Sequence, residues 1–128
     1  MSLTKVDADV FATQQITLSP SAGSTNSNWA DIQGAYAVQV NLKLTGQGSI
    51  TVGAVVSVEV ASADPAGAHV PATFASFRGP LTGSGAITSW SVELPIGVEY
   101  FRVTVTHPTY TSTASTLDAE FTKITAIV

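Results

Sequence analysis

Four stretches of this chain alternate with a period of two, and each carries a charge in its interior on the face opposite its apolar residues. From Tyr36 to Thr45 the even positions Tyr36, Val38, Val40, Leu42 and Leu44 are apolar, and Lys43 lies among the odd ones. From Ile50 to Ala61 the even positions are again apolar, and Glu59 is odd. Trp90, Val92 and Leu94 share one side of a third stretch, with Glu93 on the other. Phe101, Val103 and Val105 share a side of the fourth, and Arg102 faces away. A strand turns successive side chains to opposite faces, so each stretch has one buried face and one turned to solvent or a partner. A charge within the strand is a common device against unwanted edge pairing.

No amphipathic helix competes with this pattern. Residues 118–123 are the one Ala-containing patch that could pass for a helix, but Phe121 and Thr122 with the following Ile124 favour strand. Shorter strands are expected from Thr4 to Leu18, around Trp29 to Gly34, from Thr73 to Phe77 and from Leu117 to Val128. In the last, Phe121 and Ile124 fall on opposite parities, which calls for a bulge or a strand buried on both faces. The pair Tyr36–Thr45 and Ile50–Ala61, joined at Gly46-Gln47-Gly48, reads as the best-defined hairpin. Ile87–Leu94 and Glu99–His107 are joined through Pro95-Ile96-Gly97. About eight strands separated by Gly/Pro turns predict an all-β, single-domain antiparallel β-sandwich of jelly-roll-like form. The 128 residues make one domain, 1–128, in which residues 1–13 form either strand or an extended N-terminal arm.

Composition narrows the function classes. With no Cys there are no disulfides or thiolate metal sites. Five basic residues against nine acidic give a net charge of −4 and a pI near 4.8, and Lys5, Lys43, Arg78, Arg102 and Lys123 are scattered, so no nucleic-acid partner is expected. No apolar run approaches a bilayer span, and the first nine residues lack the apolar stretch of a secretory signal, so no membrane partner is expected. Charged residues are only 11% and the mean hydropathy is +0.30. An average soluble domain carries about 25% charged residues. Either the outer residues are simply small and uncharged, or much of the outside is covered by other protein.

The residues supply little catalytic chemistry. His69 and His107 are the only histidines, both expected in exposed or half-buried loop settings, and no nucleophile elbow accompanies them. Asp7 with Asp9 and Asp118 with Glu120 are spaced by two, which reads as solvated strand faces rather than a glycosidase pair. Asp64 in its Gly-containing loop is a weak calcium candidate without the loop pattern such a site needs. Gly46-Gln47-Gly48 and Gly83-Ser84-Gly85 lack the following helix that a phosphate cradle requires. No enzyme activity, cofactor or metal is expected. Trp90 sits on the inward parity, whereas Tyr100 faces outward and Tyr110 lies in a loop, so these two tyrosines are the leading candidates for a binding surface.

The segment Asn28-Trp29-Ala30-Asp31-Ile32-Gln33-Gly34 leading into Tyr36–Leu44, and Tyr100-Phe101-Arg102-Val103-Thr104-Val105-Thr106 with the Ser/Thr loop and last strand after it, resemble small phage virion proteins built as single β-sandwiches. The likeness runs from about Asn28 to the end. The chain departs from that group at Ala63-Asp64-Pro65-Ala66-Gly67, where a Ser-Asn-Asp-Gly-type turn is common. The resemblance implies a structural virion protein, most simply a capsid decoration or cement protein that stabilises the head shell. Its implied partners are the major capsid protein and further copies of itself, on the outer capsid surface after assembly in the host cytoplasm. The alternative is a tail-associated or receptor-binding carbohydrate-binding module. Val10, Phe11, Arg78, Tyr100, Arg102 and Tyr110 are the expected protein-contact residues.

Overall fold

The structure, a computed structural model, describes residues 3–18, 23–45, 54–61, 71–78, 87–107 and 116–127. They form ten strands: β1 (Leu3–Asp9), β2 (Gln15–Thr17), β3 (Gly23–Asn26), β4 (Ala30–Asp31), β5 (Ala37–Thr45), β6 (Val55–Ala61), β7 (Ala72–Arg78), β8 (Ile87–Leu94), β9 (Tyr100–His107) and β10 (Thr116–Ile127). All pairings are antiparallel, and there is no helix among the described residues. Sheet A runs β1-β10-β5-β8, with β2 beside β1 on the same edge of β10. Sheet B runs β3-β9-β6-β7, with β4 beside β3 on the same edge of β9. Taking β1/β2 and β3/β4 as interrupted single strands leaves four per sheet. All consecutive links but β6 to β7 then cross between sheets, which is the jelly-roll arrangement.

The interruptions have a visible backbone cause. Between β1 and β2 the chain bulges away from β10, and Ala119 spans the gap: its carbonyl accepts from the Val10 N–H (3.1 Å) and its N–H donates to the Gln14 carbonyl (3.0 Å). Between β3 and β4, Ser27 serves Val103 in the same way. Its N–H donates to the Val103 carbonyl (2.9 Å), and its Oγ accepts from the Val103 N–H (2.9 Å). An edge strand broken in this manner is a poor template for adding a foreign strand.

The alternating residues meet between the sheets as the sequence requires. Val38, Val40, Leu42 and Leu44 of β5 are buried, as are Val56 and Val58 of β6, Val92 and Leu94 of β8, and Phe101, Val103 and Val105 of β9. Phe101 meets Phe121 edge to face across the layers with ring centroids 5.0 Å apart. Phe77 of β7 and Trp90 of β8 stack at 5.1 Å and close the sandwich where the two sheets' edges lie together. Trp90 is therefore half-buried interior, as its parity implies.

Several expectations are corrected. Tyr36–Thr45 and Ile50–Ala61 do not form a hairpin: β5 pairs with β8 and β10 in sheet A, while β6 pairs with β7 and β9 in sheet B. Alternation fixes which side chains point inward, and a connection that crosses the sandwich satisfies it as well as a hairpin does. The turn at residues 46–48 lies outside the described residues. Of the two readings of the first residues, strand and extended arm, Leu3–Asp9 takes the first, a strand laid along Asp9↔Glu120 to Leu3↔Ile127, which supplies its backbone hydrogen bonds. His107 is not a loop residue but is 5% exposed, because it continues the inward parity of Phe101, Val103 and Val105. His69 and Asp64 lie outside the described residues.

Candidate interaction surfaces

The strand charges meet one another on the outer walls. On sheet A, Lys43 of β5 faces Asp118 of β10 in register, and Nζ lies 3.1 Å from Oδ2. On sheet B, Arg102 of β9 faces Glu59 of β6 in register, and an Nη atom donates to the Glu59 carboxylate at 3.2 Å. Cross-strand neighbours of opposite sign are the natural outcome of this register. Each wall thus holds one charge pair neutralised within the sheet, so covering that pair with another protein strands no lone ion.

The sheet B wall carries a cluster built around that pair. The Arg102 guanidinium lies over the Trp29 ring, 4.6 Å from the centroid, and both residues are half-buried. Trp29 is held there by the short link between Ser27, anchored on Val103, and β4, anchored on Phe101 and Tyr100. Tyr100 stands one outward position along β9, and its hydroxyl accepts from Gln33 Nε2 at 2.8 Å. Gln33 is itself fixed by a turn in which its N–H donates to Asp31 Oδ1 at 3.0 Å.

The sheet A wall carries a shallow groove of about 350 Å³, lined chiefly by Gln14, Asn41, Lys43, Ser89, Ser91 and Asp118. Ser91 Oγ donates to Asn41 Oδ1 at 3.0 Å within it, and Gln39 Nε2, from the neighbouring groove, donates to Ser91 Oγ at 2.7 Å.

At the end of this wall the character changes. The turns at Gln33–Gly34 and Ile96–Gly97 reverse the chain with Gly at φ +75° and +102°, a region that side-chain-bearing residues rarely adopt. They hold Tyr36, 52% exposed, and Ile96, 82% exposed. Between them and the sheet lies a groove of about 460 Å³ lined by Ala37, Pro95, Ile96 and Ile124, with Lys5 and Glu93 also on its walls. The parity conflict of the last strand resolves here. Phe121 points into the core, while Ile124, in register with Ala37, points out into this groove. A bulge does exist on β10, at Thr125 opposite the Thr4/Lys5 step, but it lies beyond both residues. Tyr36 belongs to this surface and not to the buried set of β5, because it precedes the strand, tied by its N–H to the Ile124 carbonyl at 2.7 Å.

The residues expected to make contacts do not converge on one surface. Tyr100 and Arg102 share the sheet B wall. Arg78 is exposed at the end of β7, paired in register with Val55. Val10, 7% exposed, is core, and Phe11 is half-buried against that core, so the bulge between β1 and β2 turns both inward. Tyr110 lies outside the described residues. Glu59 as the partner of Arg102, and Tyr36 and Ile96 as exposed anchors, are additions that only the fold provides. The sequence hints were the wrong parity of Ile124 and an isoleucine between Pro95 and Gly97 at a turn.

No protein-family model matches the sequence, and no curated protein matches it. Solved structures do share the fold. A chain from the structure of infectious bursal disease virus Gx strain is similar over 97% of this chain and 33% of that one, with a TM-score of 0.55 and 9% identity. The VP2 subviral particle of the same virus is similar over 95% of this chain and 32% of that one, at TM-score 0.55 and 10% identity. The enzymatically active domain of tailspike protein 4 from bacteriophage CBA120 is similar over 95% of this chain and 18% of that one, at TM-score 0.55 and 9% identity. The chain thus spans a third or less of the length of each. At such identities the likeness is one of fold.

Proposed function

We propose that this chain is a structural protein of a bacteriophage particle that sits on the outer surface of the head shell and reinforces contacts between major capsid subunits. The observation that carries the reading is the cluster of Trp29, Tyr100, Arg102 and Glu59 on the outer wall of sheet B. Trp, Tyr and Arg are the side chains that anchor protein interfaces, because each buries a large rigid area and keeps a polar handle. The arginine already has its counter-charge within the wall, so burial against a shell strands no lone ion. The role is structural and not catalytic, and the sandwich serves as a rigid block. That chains of the same fold occur in a virus structure and in a phage tailspike protein supports the reading.

The test is co-sedimentation of the protein with head shells of its own phage. Tyr100→Ala is expected to weaken binding about tenfold, the size of an interface anchor. Thr104→Glu sets an unpaired charge on the same wall, between Ser57 and Asn26 in register, and is expected to abolish it. Undiminished sedimentation of both variants would reject the sheet B wall as the contact.

A second reading, a carbohydrate-binding module of a tail, is favoured by the sheet A groove with its amides and hydroxyls from Gln14, Asn41, Ser89 and Ser91. Glycan-array binding that disappears in Asn41→Ala would establish it, and an empty array would dismiss it.

A further inference from the structure

We infer that the Tyr36–Ile96 end of sheet A is a two-fold interface with a second copy of this chain. The outer wall of this sheet is polar along Asn41, Lys43, Asp118 and Glu120, yet past Gln39 and Thr122 it turns apolar at Ala37 and Ile124, beside Tyr36, Pro95 and Ile96. Ile96, 82% exposed, and Tyr36, 52% exposed, join Ala37, Pro95 and Ile124 in one contiguous apolar patch, and such patches mark interaction sites.

The distribution of charge selects the occupant. β10 and β5 run through the middle of sheet A, with β1 on one flank and β8 on the other. Lys5 on β1 is in register with Ile124, Ile124 is in register with Ala37, and Glu93 on β8 is in register with Gln39. The groove is therefore bounded by a cation on one flank and an anion on the other, three strand spacings apart across the sheet, about 14 Å, and two residues apart along it. Among the described residues the ion pairs are Lys43–Asp118 and Arg102–Glu59, so neither Lys5 nor Glu93 takes part in one of them. An axis through the groove between β10 and β5 carries Lys5 of one copy onto the β8 flank of the other, against Glu93. A two-fold operation makes that contact twice and sets Ile96 of each copy into the other's groove. The surface is self-complementary in the sign of its charges, as an isologous interface requires. A partner of a single charge sign would match only one flank.

Sedimentation velocity of the full chain over a range of concentrations tests this. The wild-type protein is expected to move from monomer to dimer as concentration rises. Ile96→Glu is expected to raise the dissociation constant at least thirty-fold, roughly the size of a hot-spot loss, with thermal unfolding at high dilution unchanged because the side chain is outside the core. Lys5→Glu and Glu93→Lys are each expected to weaken the dimer about tenfold, and the double exchange to restore it, since the pairs then re-form with signs reversed. A wild-type chain that remains monomeric overturns the proposal. So does a dimer that Ile96→Glu leaves intact, a double exchange that fails to recover, or a monomer that needs Ile96 only to bind shells.

Discussion

Replacing Phe101 with alanine is expected to lower the unfolding free energy by about 3–5 kcal/mol, the range for removing a large aromatic from a packed core. Phe101 is fully buried on β9 in the middle of sheet B, and its ring meets Phe121 of β10 in sheet A at 5.0 Å, nearly perpendicular. The pair joins the two layers, so truncation leaves a void between sheets that cannot easily close. Flanking Val103 and Val105 are equally buried, and β-branched side chains have few rotamers with which to fill it. Urea unfolding followed by tryptophan fluorescence measures the loss. A change below about 1 kcal/mol would mean the layers are not packed as described.

Ser27→Ala is expected to cost about 1–3 kcal/mol, an unusually large effect for a deleted hydroxyl. Ser27 is 7% exposed, and its Oγ accepts from the Val103 N–H at 2.9 Å while donating to the Asn28 carbonyl at 3.0 Å. Alanine leaves the Val103 N–H without that acceptor at a buried point where β3 has ended and β4 has not begun. It also loosens the link that holds Trp29 over Arg102, so the wall should suffer along with the fold. Amide exchange at Val103 is the direct readout: strong protection in the wild type, and markedly faster exchange in the variant. Equal protection in both would show that another group serves this amide.

The layering was legible in the sequence because burial follows parity and parity is local. Val38, Val40, Leu42 and Leu44 announce their common face in nine residues, and so do Phe101, Val103 and Val105. Strand partners were not legible. Nothing in the Gly46-Gln47-Gly48 turn distinguishes a hairpin from a link that crosses the sandwich, and the pairing of β5 with β8 and β10 depends on segments far along the chain. The same long-range register brings Glu59 to Arg102, so Arg102 could be read as an outward charge but not as half of a neutralised pair. Val10 misled for a related reason. It stands just past β1, where it continues the inward parity of Ala8 and is 7% exposed, so it belongs to the core and not to a contact surface. Ile124 carried true information in the form of a broken pattern. The apolar residue on the outward parity of β10 lines the groove at the end of sheet A.

The proposed role is tested most directly by a reconstruction by electron cryomicroscopy of phage head shells incubated with the purified protein. The expected map has the jelly roll on the outer surface, with Trp29, Tyr100 and Arg102 of the sheet B wall buried against capsid subunits. Bare shells, or bound copies with that wall turned to solvent, would contradict it.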